Sequence, residues 1–322
     1  MGVDRPGDMK QLTSWIKPDV VVLTRFPDVP VHVEAFDSPE AVTAEKLELL
    51  NALKSDGILV FNNDDEQVRD IAATVRQQAI GYSRYSPSQF HAEADEVIYK
   101  NGFPSGLRFR AEHINDSADF SLEGAIGVQH CYNFSAAAAV ASIFDVTLKE
   151  VADALKGFVP PPGRMRVIRG LKDTVIIDDT YNSSPTAAER ALSSLYELQG
   201  FKRKIAVLGD MLELGQFSVS AHEKVGIQVA DGADVLVTVG IRARGVAESA
   251  LEQGFNEANV FQYDDSVTAG RELQNFIQPG DVLLIKGSQS IRCERIVLDI
   301  MAEPNRAEEL LVRQSSEWRS IA

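Results

Sequence analysis

The sequence is poor in cysteine, in basic residues and in long apolar runs, and each shortage closes off a class of function. Only two cysteines, Cys131 and Cys293, occur in 322 residues, with no CxxC spacing. That excludes a disulfide framework or a cysteine-rich zinc site and fits a reducing cytoplasm. Lys and Arg number 32 against 47 Asp and Glu, a formal charge of −15. Nucleic-acid surfaces need clustered cations facing phosphate, so no nucleic-acid partner is expected. An anionic ligand would have to be met by a local basic or amide-lined pocket. No apolar run approaches the ~20 residues that span a bilayer, and no basic leader opens the chain, so no membrane partner and a cytoplasmic location are expected. GxGxxG and GxxxxGK[ST] are both missing. Neither a dinucleotide fingerprint nor a P-loop is written in these residues.

What remains is ordinary for a globular protein: 44% hydrophobic and 25% charged residues, at a length suited to about two domains. The triple proline of FVPPPGRM (Phe158 to Met165) cannot continue a helix. It sets the expected boundary, with domains at 1–162 and 163–322. In the first, strand-like PDVVVLTRF and GILVFNND flank a helical SPEAVTAEKLELLNAL, whose Ser38 and Pro39 read as N-cap and first helical residue. A β-like stretch from about Gly81 to Ile126 follows, then helices at NFSAAAAVASIF and TLKEVADALKGF. In the second, TVIIDD, KIAVLGD, ADVLVTVG and DVLLIKG are continuous apolar runs, as in parallel strands covered on both faces. Helical stretches lie between them, which predicts an α/β, doubly wound, Rossmann-like sheet. Beyond Pro304 the polar tail reads as a short helix or a frayed end.

Ligands in such sheets bind beyond the carboxyl ends of the strands. Three ends here are unusual: DDTYNSSP (Asp179, Tyr181, Asn182), GDMLELG (Asp210, Glu213) and KGS (Lys286, Ser288). Any one of them reads equally well as a helix cap or a turn. Three at one sheet end point to a ligand site. A Lys-Gly-Ser turn entering a helix can hold an anion between amides and ammonium.

Together, DDTYNSSP, GDMLELG and KGS resemble the carboxy-terminal domain of the Mur ligases. Within that family the likeness is greatest to the members that add D-alanyl-D-alanine to a UDP-muramoyl-tripeptide. NFSAAAAVASIFDVTLKEVADALKGFVPPPGRM, RPGDMKQLTSWIKPDVVVLTRF and HVEAFDSPEAVTAEKLELL resemble parts of the family's central domain, with a weak stretch from about Gln67 to Gly124. In this family Glu-Met-Gly precedes Arg-Pro-Gly, so Met1 falls within a motif. That implies a partial central domain and a fragment that lacks the amino-terminal domain and P-loop, inactive alone, with a missing segment or separate chain to supply them.

The resemblance implies an ATP-dependent ligase of peptidoglycan precursor synthesis. Its substrates would be a UDP-N-acetylmuramoyl-peptide and D-alanyl-D-alanine, its cofactors ATP and Mg2+, and its intermediate an acyl phosphate. His32 matches the family's metal-binding His, and Lys46 the lysine that it carbamylates. Asn133 matches the adenine-reading Asn, with Gln129-His130 where the family has His-Asn. Arg164, Asp179, Tyr181 and Asn182 match nucleotide-facing positions. Lys286 and Ser288 match the turn that closes on substrates, where Gln289 replaces the usual Arg. Asp210 and Glu213 are expected to receive the dipeptide's ammonium. The alternative is a Mur-ligase-like binding or scaffold protein without catalysis.

Overall fold

Short apolar runs bounded by turn residues become strands, and in this chain they assemble into two separate sheets. The computed structural model describes residues 2–114 and 116–320. Met1 and Ala322, the outer limits of the expected domains, lie outside the described residues.

The first sheet holds β1 (Val20–Leu23), β2 (Ile58–Asn62), β3 (Gln78–Ser83), β4 (Phe90–Lys100), β5 (Phe103–His113) and β6 (Asp116–Glu123), in chain order. β1 to β4 run parallel, and β4, β5 and β6 form an antiparallel meander. Among the described residues β1 pairs with β2 alone, so it is an edge. The helices here are α1 (Asp8–Thr13), α2 (Pro39–Asn51), α3 (Glu66–Thr74), α4 (Gln129–Ser142) and α5 (Leu148–Leu155). Ser38 caps α2 by accepting from the Ala41 amide at 3.3 Å, with Pro39 in the first turn. The small residues Ala136, Ala138 and Ala139 let α4 lie close on the sheet, where Phe134 stacks 5.8 Å from Phe109.

The second sheet holds β7 (Arg166–Arg169), β8 (Val175–Asp179), β9 (Arg203–Gly209), β10 (Val235–Val239), β11 (Val260–Tyr263) and β12 (Asp281–Lys286). Their order is β11-β10-β9-β12-β8-β7, all parallel except the edge strand β7. The helices are α6 (Pro185–Glu197), α7 (Ser218–Ala230), α8 (Arg244–Glu252), α9 (Ser266–Phe276), α10 (Glu294–Ile300), α11 (Ala307–Leu310) and α12 (Ser316–Ser320). Leu192, Leu195, Val225 and Val246 pack in one core cluster, and Leu273, Ile296, Val297 and Ile300 in another. The sheet is doubly wound, as its continuous apolar runs predict.

β12 inserts between β8 and β9, which sets Lys286 opposite Asp179 on one side and Leu208 on the other. That crossover brings all three unusual strand ends to one place. The two sheets meet through a bridge between Ala125 and Arg166 and a Tyr99 hydroxyl that accepts from the Gln199 amide at 3.0 Å. Among the described residues no helix is long and apolar enough to cross a membrane.

Candidate functional site

The end of β8 is held by buried charge. The Lys286 ammonium, 2% exposed, lies 2.6 Å from Asp179 Oδ2 and donates to the Asn182 carbonyl at 2.9 Å. Asp179 Oδ1 accepts from the Met165 amide at 3.2 Å. Beside it, Asp178 accepts from the Thr180 amide and hydroxyl and from the Gly163 amide. Burial nevertheless pushes its carboxyl up to about 6. These bonds draw the Gly163–Met165 turn onto the strand end. Gly163 has φ +70°, and a Cβ there would meet the Tyr181 nitrogen at 2.8 Å, so the turn needs glycine. The turn carries Arg164, whose guanidinium lies 4.0 Å above the Tyr181 ring.

The ends of β9 and β12 satisfy each other. The Ser288 amide donates to the Asp210 carbonyl at 3.0 Å, and Ser288 Oγ accepts from the Leu212 amide at 2.9 Å. The buried Asp210 carboxylate accepts from the Ala243 amide at 2.7 Å. His222 Nε2 accepts from the Met211 amide at 3.0 Å, and burial lowers its pKa. The ammonium and the Ser288 amide of the Lys-Gly-Ser turn are thus engaged within the protein, and the Asp210 carboxylate faces a backbone donor.

Glu213 turns the other way, its backbone left-handed at φ 62°. Its carboxylate lies 2.5 Å from His32 Nδ1, in a link between the two halves. His32, also left-handed at φ 68°, precedes a 3-10 turn at Val33–Ala35, and its Nε2 lies 3.4 Å from Asp4. Lys46, on α2, is half-buried with no hydrogen bond or ion pair among the described residues, and burial lowers its pKa. His32 and Lys46 share no hydrogen bond or ion pair among the described residues. No group of three or more His, Cys, Asp or Glu suited to a metal occurs among the described residues.

Between the two halves opens a cavity of about 800 Å³. Phe134, Ala137, Leu155, Phe158, Pro160 and Pro161 give it an apolar wall. His130, Asn133, Arg164, Asp179, Asn182 and Lys286 face it from the polar side, so six of the expected residues meet here, with Tyr181 under Arg164. His32, Lys46, Asp210, Glu213 and Ser288 are not part of its lining. Burial lowers the His130 pKa, which favours the neutral ring. Arg25 and Arg190 line the cavity as well and escaped the sequence reading. Their only sequence signal was position: Arg25 follows an apolar strand and Arg190 sits in the helix after DDTYNSSP. A second cavity of about 480 Å³ adjoins, lined by Arg25, Arg190 and Lys224 and by six acids, Asp28, Asp64, Asp65, Glu66, Asp70 and Glu189.

The Mur ligase middle domain model matches residues 1–141, and the Mur ligase, glutamate ligase domain model matches residues 163–289. The chain belongs to the Mur ligase family. Among Mur ligases it is 27% identical to the UDP-N-acetylmuramoyl-tripeptide--D-alanyl-D-alanine ligase of Bacillus subtilis, over 94% of this chain and 64% of that protein. The Escherichia coli protein of the same name is 26% identical, over 92% and 63%. The chain thus spans somewhat less than two thirds of these relatives. In fold it is similar to MurF of Acinetobacter baumannii, with a TM-score of 0.79 at 23% identity over 93% of this chain and 63% of that one. MurF of Thermotoga maritima, solved in complex with ADP, gives 0.75 at 24% identity over 91% and 64%.

Proposed function

We propose that this chain carries the nucleotide site of an ATP-dependent amide-forming Mur ligase, built between domains at 1–162 and 163–322. The reaction would join D-alanyl-D-alanine to a UDP-N-acetylmuramoyl-tripeptide in peptidoglycan precursor synthesis, in the cytoplasm. The observation that carries this reading is the charge of the larger cavity. In a protein of net charge −15, Arg25, Arg164 and Arg190 converge on it. Asp179 is the one acid in its described lining, and Lys286 already neutralises it. An apolar wall for a base and guanidinium groups for oxyanions is what a nucleotide requires.

In such a ligase a substrate carboxylate oxygen attacks the γ-phosphorus of ATP and the bond to ADP breaks, leaving an acyl phosphate. The amine of the dipeptide then attacks the acyl carbon, loses a proton, and phosphate departs. Charge develops on phosphoryl oxygens in the first step and is met by positioned cations. Arg164 would hold nucleotide oxygens, its fork steadied on the Tyr181 ring. Lys286, fixed by Asp179, would supply a stationary positive charge rather than a mobile one. Asn133, exposed on α4, would donate to and accept from the base. Magnesium prefers oxygen ligands. His32 offers a ring nitrogen beside Glu213, and Lys46 an amine that becomes an oxygen donor only when carbamylated, so no step here runs through a metal.

Calorimetric titration of the chain with ADP tests the nucleotide reading. ADP should bind, and Asn133→Ala, an exposed change that spares the core, should weaken it about 3- to 10-fold, the range of one neutral hydrogen bond. No binding by ADP, or an unchanged affinity in the variant, would sink the reading. Lys46 admits its own test. A half-buried amine with a lowered pKa holds more of the neutral form that attacks carbon dioxide. In 13C-bicarbonate at pH 8 the chain should show a carbamate carbon resonance that Lys46→Arg lacks. The same resonance in both proteins would remove Lys46 from the proposal.

A further inference from the structure

We propose that Arg25 and Arg190, one from each half of the molecule, form a two-guanidinium clamp for the phosphate chain of a nucleotide whose base occupies the larger cavity. The clamp rests on the nucleotide reading above and adds to it where the phosphates go.

Arg25 follows the carboxyl end of β1, and Arg190 lies in the second turn of α6. Both line the larger and the smaller cavity, so they stand where the two join. Neither has a tight carboxylate partner. The nearest to Arg25 is Asp65, at 3.7 Å, beyond hydrogen-bond length. The Arg190 side chain makes no hydrogen bond or ion pair among the described residues and lies 5.4 Å over the Tyr132 ring. The two cations feel each other: burial first, then the charge of Arg190, lowers the Arg25 pKa, against the pull of Asp65 and Glu189. Two like charges brought together from separate domains repel unless an anion lies between them. The side on which it lies is decided by the neighbours. Six acids line the smaller cavity against one further cation, Lys224, so it stays net negative and disfavours an anion. In the larger cavity the acid is Asp179, taken by Lys286. The phosphates therefore point into the larger cavity from its Arg25–Arg190 mouth. Arginine's planar fork suits two phosphate oxygens at once, which a lysine cannot match.

The test is to measure binding of adenosine, ADP and inorganic pyrophosphate to the chain, to R25Q/R190Q and to R25K/R190K. Thermal melts would confirm that all three fold. In the glutamine pair, ADP and pyrophosphate should loosen about 10- to 100-fold, the range for charged hydrogen bonds, with adenosine unchanged. The lysine pair should fall between. Pyrophosphate binding that is lost in the glutamine pair supports the clamp even if adenosine never binds, an outcome that would remove the base site alone. The clamp is overturned if the parent chain holds ADP no more tightly than adenosine and ignores pyrophosphate. It is overturned too if adenosine and ADP weaken equally in the glutamine pair, because the arginines would then be shaping the walls.

Discussion

Glu294→Ala should lower the unfolding free energy by about 3–5 kcal/mol, the scale for breaking a buried charge pair by removing one partner. Glu294 is fully buried at the start of α10, with Oε1 2.5 Å from Arg292 Nε and Oε2 3.2 Å from Arg313 Nη1. Both guanidinium groups are themselves almost fully buried. Water cannot replace the lost carboxylate there, so added salt should not rescue the variant. The effect should travel. Arg313 donates to the Thr180 carbonyl at 3.1 Å and also to that of Tyr181, tying the carboxy-terminal segment to the β8 strand end. Loosening it frees the residue whose ring lies under Arg164, so ADP affinity should drop with stability. Urea denaturation of the variant against the parent chain is the measurement. A loss below about 1 kcal/mol, the scale of an exposed pair, would mean that this triad is not a buried brace.

Lys286→Met should be of comparable size, about 3–5 kcal/mol, and should act on the other side of the same strand end. The substitution keeps the length of the stem and deletes the charge, leaving Asp179 facing Met165 and the cavity without its ammonium. The companion D179N/K286M removes both charges and should recover much of the loss, since a neutral pair costs less to bury than a lone ion. The two sites touch, so a double-mutant cycle reads their coupling directly. If the double variant is as unstable as the sum of the singles, the pair is not the unit described here. Because Asp179 also steers the Gly163–Met165 turn, Lys286→Met should weaken ADP binding as well.

Legibility in the sequence followed burial. β8, β10 and β12 are buried at every position, and each shows in the sequence as a run of at least three apolar residues. β7 escaped because it is an edge strand with arginine at both ends, and β11 because it is short and half-exposed. α3 was hidden by a thin stripe, Val68, Ile71 and Ala72 in an otherwise polar segment. The polar tail does hold helices, yet its buried Arg313 reads as an ordinary surface residue. The site was legible where a motif and a strand end coincide, as at Asp179 and Lys286. It was illegible where a single residue acquires its meaning from a distant partner. Nothing in TRF or in AAER says that Arg25 and Arg190 will line the same cavity. Nor does GDMLELG disclose that Asp210 turns inward to Ala243 while Glu213 turns outward to His32.

The link between His32 and Glu213, like the walls of the larger cavity, belongs to neither half alone. A molecule seated there binds an arrangement of two bodies, and its free energy is spent partly on keeping them together. At a hundredfold excess over its Kd a ligand adds about 2.7 kcal/mol to the state that binds it. Here that state is the joined one, so the ligand acts as a thermodynamic glue at a seam. Conversely, any exposed contact that helps close the seam, His32–Glu213 among them, raises affinity for a ligand it never touches.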